Sequence, residues 1–254
     1  MISTAVLAIA ICPVMAAQSS AELKRVLTFA QADTPQTIQE MANTIRAVAN
    51  IQQLSVDNTR KTLTIDTSHA QADLGEWIFK LLDSTSPPPR SSEYTVPGNS
   101  DDVVRVFFMS HTNDPRELQE TVNALRSIVE VQRITAFNPV KALVVRGKVW
   151  QAGLSEWLIH RLENPPARQS SASYTATGVD PIFKARGLED PVAVRVYYMP
   201  PGITPSDLLI VMNQLRSQLQ IMRIVACMVP HAIVLRATES QAQASDRMLI
   251  KTGN

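Results

Sequence analysis

The sequence predicts an α+β fold of three tandem β-α-β-β-α modules, each with two helices on a small three-stranded sheet. Two observations lead there. Residues recur at two fixed offsets along the chain, and inside each copy the apolar pattern switches between strand-like and helix-like periods. Arg25-Val26, Arg105-Val106 and Arg195-Val196 each open an apolar run, 80 and then 90 residues apart. At those offsets Pro35, Pro115 and Pro205 align, as do Asn43, Asn123 and Asn213, and Arg46, Arg126 and Arg216. Between copies one and two the register continues through Leu63/Leu143, Leu74/Leu154, Glu76/Glu156, Trp77/Trp157 and Leu82/Leu162. Tyr94-Thr95 and Gly98 return as Tyr174-Thr175 and Gly178.

Each copy opens with a short β-rich run: Val26–Phe29, Val103–Met109, Val192–Met199. Thr34-Pro35, Asp114-Pro115 and Thr204-Pro205 then set a capping side chain before a proline at the first helical position. Glu117 and Asp207 fall in the first turn, where a carboxylate meets the positive helix end. An apolar stripe follows: Ile38, Met41, Ile45 and Val48; Leu118, Val122, Leu125 and Ile128; Leu208, Val211, Leu215 and Leu219. Two strand runs come next, near 51–56 and 62–66, 131–137 and 142–146, and 221–227 and 232–236. Asp57-Asn58 and Asn138-Pro139 supply turn residues between them. A second helix closes the copy on Trp77, Ile78, Leu81 and Leu82, or on Trp157, Leu158 and Leu162. In the third copy Arg247 takes the tryptophan's place, and Met248, Leu249 and Ile250 supply the apolar face. Trp77 and Trp157 are expected to anchor this helix on its own sheet.

The expected division is a signal peptide at 1–17, modules at 22–83, 102–163 and 191–251, and linkers at 84–101 and 164–190. Ser84 to Pro89 and Asn164-Pro165-Pro166 are Ser/Pro-rich, as stiff spacers are. Residues 2–17 carry no charge and end in Val14-Met15-Ala16-Ala17, the small-residue pattern of an export signal cut near Ala16 or Ala17. Cys12 would leave with it, and Cys227, inside an apolar strand run, reads as a buried thiol. After the leader no apolar run is long enough to span a bilayer. With 24 basic and 23 acidic residues the net charge is +1, too small to hold a phosphate backbone.

The four histidines, His69, His111, His160 and His231, occupy non-equivalent positions with no metal-ligand spacing. No nucleophile elbow or phosphate loop occurs. Glu76 and Glu156 read as solvent-facing carboxylates. No catalytic residue, cofactor or metal is therefore expected. The candidate interface residues are Asn43 with Arg46, Asn123 with Arg126, and Asn213 with Arg216, each pair on one flank of a helix stripe. Their ordinary role would be a solvated face or a hydrogen bond inside the module. Phe107, Phe108, Tyr197 and Tyr198 join them, because strand alternation turns one of each pair away from its own helices. Linker residues, the next module or a partner's docking surface would then cover that side.

The leading strand, the Thr/Asp-Pro helix cap, the paired "V-x-R-I-T-A-F" and "L-V-V" strands and the closing "W-I-F-K-L-L-D" helix resemble the periplasmic N-domains of secretins. The resemblance implies ring-building modules with two helices on a three-stranded sheet and lateral contacts between subunits. Those domains usually carry an asparagine before the second hairpin strand, where Lys61-Thr62 and Lys141-Ala142 stand here. No long alternating β-rich run suited to a pore follows the third copy, so the expectation is a relative without the channel. The expected function is an exported, non-enzymatic scaffold or adaptor of the periplasm or secreted space. Its partners would be proteins, either further copies of the chain or envelope and secretion components, and not nucleic acid. The alternatives are an envelope enzyme with a site between modules, and a K-homology-like nucleic-acid binder, for which the G-x-x-G loop is missing.

Overall fold

The computed structural model describes residues 23–86, 90–112, 114–175 and 192–250. The expected leader lies outside these residues. The elements run β1 (Leu23–Thr28), α1 (Pro35–Ala49), β2 (Gln53–Asp57), β3 (Thr62–Thr67), α2 (His69–Leu82), β4 (Ser91–Thr95), β5 (Asp102–Phe108), α3 (Pro115–Ala124) and β6 (Arg133–Phe137). They continue through β7 (Ala142–Lys148), α4 (Val149–Glu163), β8 (Ser170–Thr175), β9 (Val192–Tyr198), α5 (Pro205–Leu219), β10 (Arg223–Cys227), β11 (Ala232–Thr238) and α6 (Glu239–Ile250).

The helix starts follow the sequence chemistry. Thr34, Asp114 and Thr204 each accept a backbone N–H of the first turn, from Thr37, Arg116 and Asp207 respectively, with proline at the next position. A single π-helical turn at Leu125–Val129 extends α3. The first helices end on left-handed residues, Asn50, Glu130 and Gln220. Glutamines of the second helices meet these ends. Gln71 donates to the Asn50 carbonyl, Gln151 to those of Val129 and Glu130, and Gln241 to that of Leu219.

Three antiparallel sheets form, ordered β1-β3-β2, β4-β5-β7-β6 and β8-β9-β11-β10. Two of them therefore hold four strands where three were expected. The extra strands, Ser91–Thr95 and Ser170–Thr175, fall within the segments expected to be linkers. β4 pairs with β5 and β8 with β9, so the chain before each of these modules builds the edge of its sheet.

The sheets and helix pairs alternate as layers. α1 packs on β2 and also on the far face of the second sheet, at β6 and β7. α3 with its π turn does the same against β10 and β11. One apolar core joins Met41, Ile45, Leu63, Ile65 and Ile78 to Val104, Val106, Phe108 and Val144 of the next sheet. A second joins Phe107, Leu125, Leu143 and Leu158 to Val194, Val196, Tyr198 and Val234. The third, around Tyr197, Leu208, Leu215 and Leu235, has no further sheet among the described residues. A small unit buries little apolar surface alone, and a covered second sheet face adds to it.

The first sheet differs on its far side. Lys24, Val26, Thr28 and Thr64 stand there, where the later sheets carry buried Val104, Val106, Phe108 and Val144, or Val194, Val196, Tyr198 and Val234. The polar character matches a face on which no helix layer packs among the described residues.

Candidate interaction site

Arg46, Arg126 and Arg216 do one job three times. Each reaches from its first helix to a main-chain carbonyl of the hairpin's edge strand, at Leu54, Ile134 and Ile224, over 3.1, 3.0 and 3.1 Å. The direction of that carbonyl follows from the ladder. Phe29 donates to the Lys61 carbonyl, so the odd residues of β3 bond β1 and the even ones bond β2. Gln53, Ser55 and Asp57 face β3 in turn, which leaves the peptide groups of Leu54 and Val56 pointing out of the sheet. The same alternation, fixed by Met109 on Lys141 and Met199 on His231, turns Ile134 and Ile224 outward. Each arginine therefore occupies an acceptor that an added strand would need. Asn43 holds Arg46 from the side at 2.9 Å, while Asn123 accepts from Gln119. Asn213 is exposed. The bonds of Arg46, Arg126 and Arg216, and those of Asn43 and Asn123, lie within their own modules.

The four aromatic candidates are all buried, and the pairs divide as strand alternation requires. Phe107 and Tyr197 enter the cores of their own helices. Phe108 and Tyr198 face away from those helices and are covered by the helix layer of the preceding module. Of the covers that the sequence left open for the outward member, it is another module of the same chain that packs on Phe108 and Tyr198. The Tyr198 hydroxyl donates to the Arg161 carbonyl of α4 at 2.8 Å, and Tyr197 donates to Asp246 at 2.7 Å. Burial pushes the pKa of both phenols upward.

Both joints carry one polar signature. Glu40 of α1 accepts the backbone N–H of Asn138, and Glu120 of α3 accepts those of Met228 and Val229, in the hairpin turn of the next module. In return Arg146 donates to the Val48 carbonyl and Arg236 to that of Ile128. Burial lowers the pKa of Arg236, opposed by the Glu130 charge. At the ends of the array these positions change. Asp66 stands where Arg146 and Arg236 do, and Ile210, exposed, stands where Glu40 and Glu120 do.

The recurring Arg25, Arg105 and Arg195 each pair with second-helix carboxylates, and Arg105 also with one from β4. Arg25 meets Glu76 and Asp73, Arg105 meets Glu156 and Glu93, and Arg195 meets Glu239 and Asp246. Trp77 and Trp157 are partly buried and tilt against Tyr94 and Tyr174, at 5.4 and 5.3 Å between ring centroids. Both tyrosines sit on strands of the following sheet, so the tryptophans bridge modules as well as packing on their own.

No protein-family model and no curated protein sequence matches the chain. Among solved structures, the N-terminal domain of the secretin XcpQ from Pseudomonas aeruginosa is 14% identical, with a TM-score of 0.24, over 57% of this chain and 63% of that one. ExeD of Aeromonas hydrophila is 13% identical, with a TM-score of 0.21, over 92% of this chain and 41% of that one. The secretin GspD of E. coli K12 is 11% identical, with a TM-score of 0.22, over 92% and 39%. The chain is similar to secretin N-terminal domains. It spans less than two thirds of each of these chains.

Just before the second hairpin strand Lys61, Lys141 and His231 all have positive φ, of 50°, 51° and 58°. The charged groove of about 320 Å³ at the end of the second sheet is lined by Asp101, Asp102, Arg133, Arg146 and Lys148 among others. Arg146 binds Asp102 at 2.7 Å, and Lys148 lies 3.8 Å from Asp101. Among the described residues no group of three or more His, Cys, Asp or Glu side chains is placed to hold a metal.

Proposed function

We propose that the protein is an exported scaffold or adaptor that binds other proteins through the edges of its sheets, as part of a secretion- or pilus-type envelope apparatus. It performs no chemistry of its own in this reading. Its modules occupy 22–83, 102–163 and 191–251, with β4 and β8 as accessory strands of the modules that follow them. It works in the periplasm or outside the cell after loss of residues 1–17.

The observation that carries the reading is the thrice-repeated arginine on an outward edge carbonyl. A chain that places the same side chain against the same edge in every module controls which strands can be added to it. The layered cores support the reading further, because they hold edges at fixed spacing where weak contacts sum. The polar residues that recur serve joints and edges. In the charged groove Asp102 is held by Arg146 and Glu130 by Arg223.

Photocrosslinking in the native host tests this. A photoreactive residue at exposed edge positions such as Ser55 and Val26 should trap envelope proteins in the exported fraction. Retention of an intact Met1 form in the cytosol would overturn it, as would crosslinks confined to nucleic acid.

A further inference from the structure

Five of the sheets' outer strands are accounted for. Arginines occupy β2, β6 and β10. β4 and β8 cover the outer sides of β5 and β9, and are themselves short and Ser-rich. β1 is the first-module counterpart of β5 and β9, and among the described residues nothing pairs with its outer side. The ladder shows which groups are free for pairing. Phe108 donates to the Arg90 carbonyl and Val96 to that of Asp102, so the even residues of β5 bond β4. Their counterparts in β1 are Lys24, Val26 and Thr28. Leu23, Arg25 and Leu27 bond β3 instead. Val26 is 59% exposed, whereas Val106 and Val196 at the same position are fully buried.

A second feature fits an edge built to stand open. In the second module Arg105 is held by Glu93, which β4 itself supplies. In the first module Asp73 of α2 takes that place on Arg25, at 2.6 Å, where the second module has Gly153. The guanidinium is thus satisfied with no added strand.

Resting on the edge-binding function proposed above, we infer that the outer side of β1 accepts an extended strand of five or six residues from another protein, antiparallel to β1. Its chemistry is that of the two strands filling the equivalent edges, Ser91-Ser92-Glu93-Tyr94-Thr95 and Ser170-Ser171-Ala172-Ser173-Tyr174-Thr175. It is a mostly small and polar run whose penultimate residue is an aromatic that lies opposite Lys24, as Tyr94 lies opposite Val104 and Tyr174 opposite Val194. The chain's own residues at the offset of β4 are 11–15, inside the segment expected to be cleaved, so the strand comes from another chain.

Amide exchange on the chain from residue 18, alone and with a synthetic peptide of residues 90–96 (Arg-Ser-Ser-Glu-Tyr-Thr-Val), tests the inference. The amides of Lys24, Val26 and Thr28 should exchange fast alone, while those of Arg25 and Leu27 are protected. Saturating peptide should slow the outward amides about tenfold or more. Val26→Pro removes an N–H that bonds no strand of its own sheet, so it should keep the fold and lose the peptide effect. Unchanged exchange with peptide overturns the inference. Protection that rises with protein concentration alone, as from a second copy, overturns it too. So does protection at high dilution in the chain that retains residues 1–22. If envelope partners crosslink to the chain yet bind Val26→Pro unchanged, the edge inference fails and the scaffold function stands. If the peptide pairs with β1 but no envelope protein crosslinks, the reverse holds.

Discussion

Arg236 donates to the Ile128 carbonyl across the second joint at 3.2 Å, as Arg146 does to the Val48 carbonyl across the first at 3.1 Å. Each arginine rises from the central strand of one sheet and meets the negative end of the helix layered above it. Removing Arg236 leaves that carbonyl without its partner in a buried site, at a cost of about 1–3 kcal/mol. Cys227 lies on the same sheet face, and burial, aided by the Glu120 charge, pushes its thiol up to about 12. Alkylation of Cys227 therefore reports on this joint. Arg236→Met should raise the labelling rate in native buffer and lower the urea midpoint, and an unreactive thiol with unchanged stability would contradict the joint's role.

Phe108 points away from its own helices, yet its truncation should behave as a core deletion. Phe108→Ala should cost about 3–5 kcal/mol in denaturant unfolding. A near-neutral result would mean that α1 and α2 do not cover that face in solution.

Arg126→Ala should open the acceptor at Ile134. Losing a charged donor at a half-exposed site costs about 1 kcal/mol, and the uncovered edge gains a group that pairs with another chain. Light scattering should show association growing with concentration, with Arg126→Lys restoring part of the effect. A variant as monomeric as its parent would sink the guarding role.

Trp77 is only partly buried, so Trp77→Ala should cost less than the roughly 3–5 kcal/mol of a fully buried tryptophan. A double-mutant cycle with Tyr94→Ala should give a coupling of about 0.5–1.5 kcal/mol. Zero coupling would remove the tryptophan from the joint.

Glu76 titrates below its ordinary value, first because Lys80 hydrogen-bonds its carboxylate and then through the charges of Lys80 and Arg25. Its lowered folded value means that this stabilisation is complete above the ordinary carboxylate range. It is lost as pH falls through the folded value. Glu76→Gln should therefore destabilise the chain at neutral pH, and the difference should close on acidification below the ordinary range. Parallel stability curves at all pH values would count against it.

The sequence alone determined the order of elements inside each module, because proline caps and apolar periods are local and were visible in each copy. It also showed Asn43, Arg46 and their counterparts as recurring, and left open the hydrogen bond inside the module that the arginines make. The continuous apolar runs of β5 and β9 signalled burial on both faces, as two-sided strands do. What covers the second face is a question of distance across the chain, and only the tertiary structure decided it. Phe108 and Tyr198 meet the preceding helices, and Tyr94 and Tyr174 bring supposed linkers into the next sheets. The glutamines Gln71, Gln151 and Gln241 recur at the same offsets and went unread, because their partners are carbonyls that no side-chain pattern reveals. That nothing among the described residues pairs with the outer side of β1 was equally hidden. A strand's edge is defined by what does not pair with it, and that depends on where every other strand has gone.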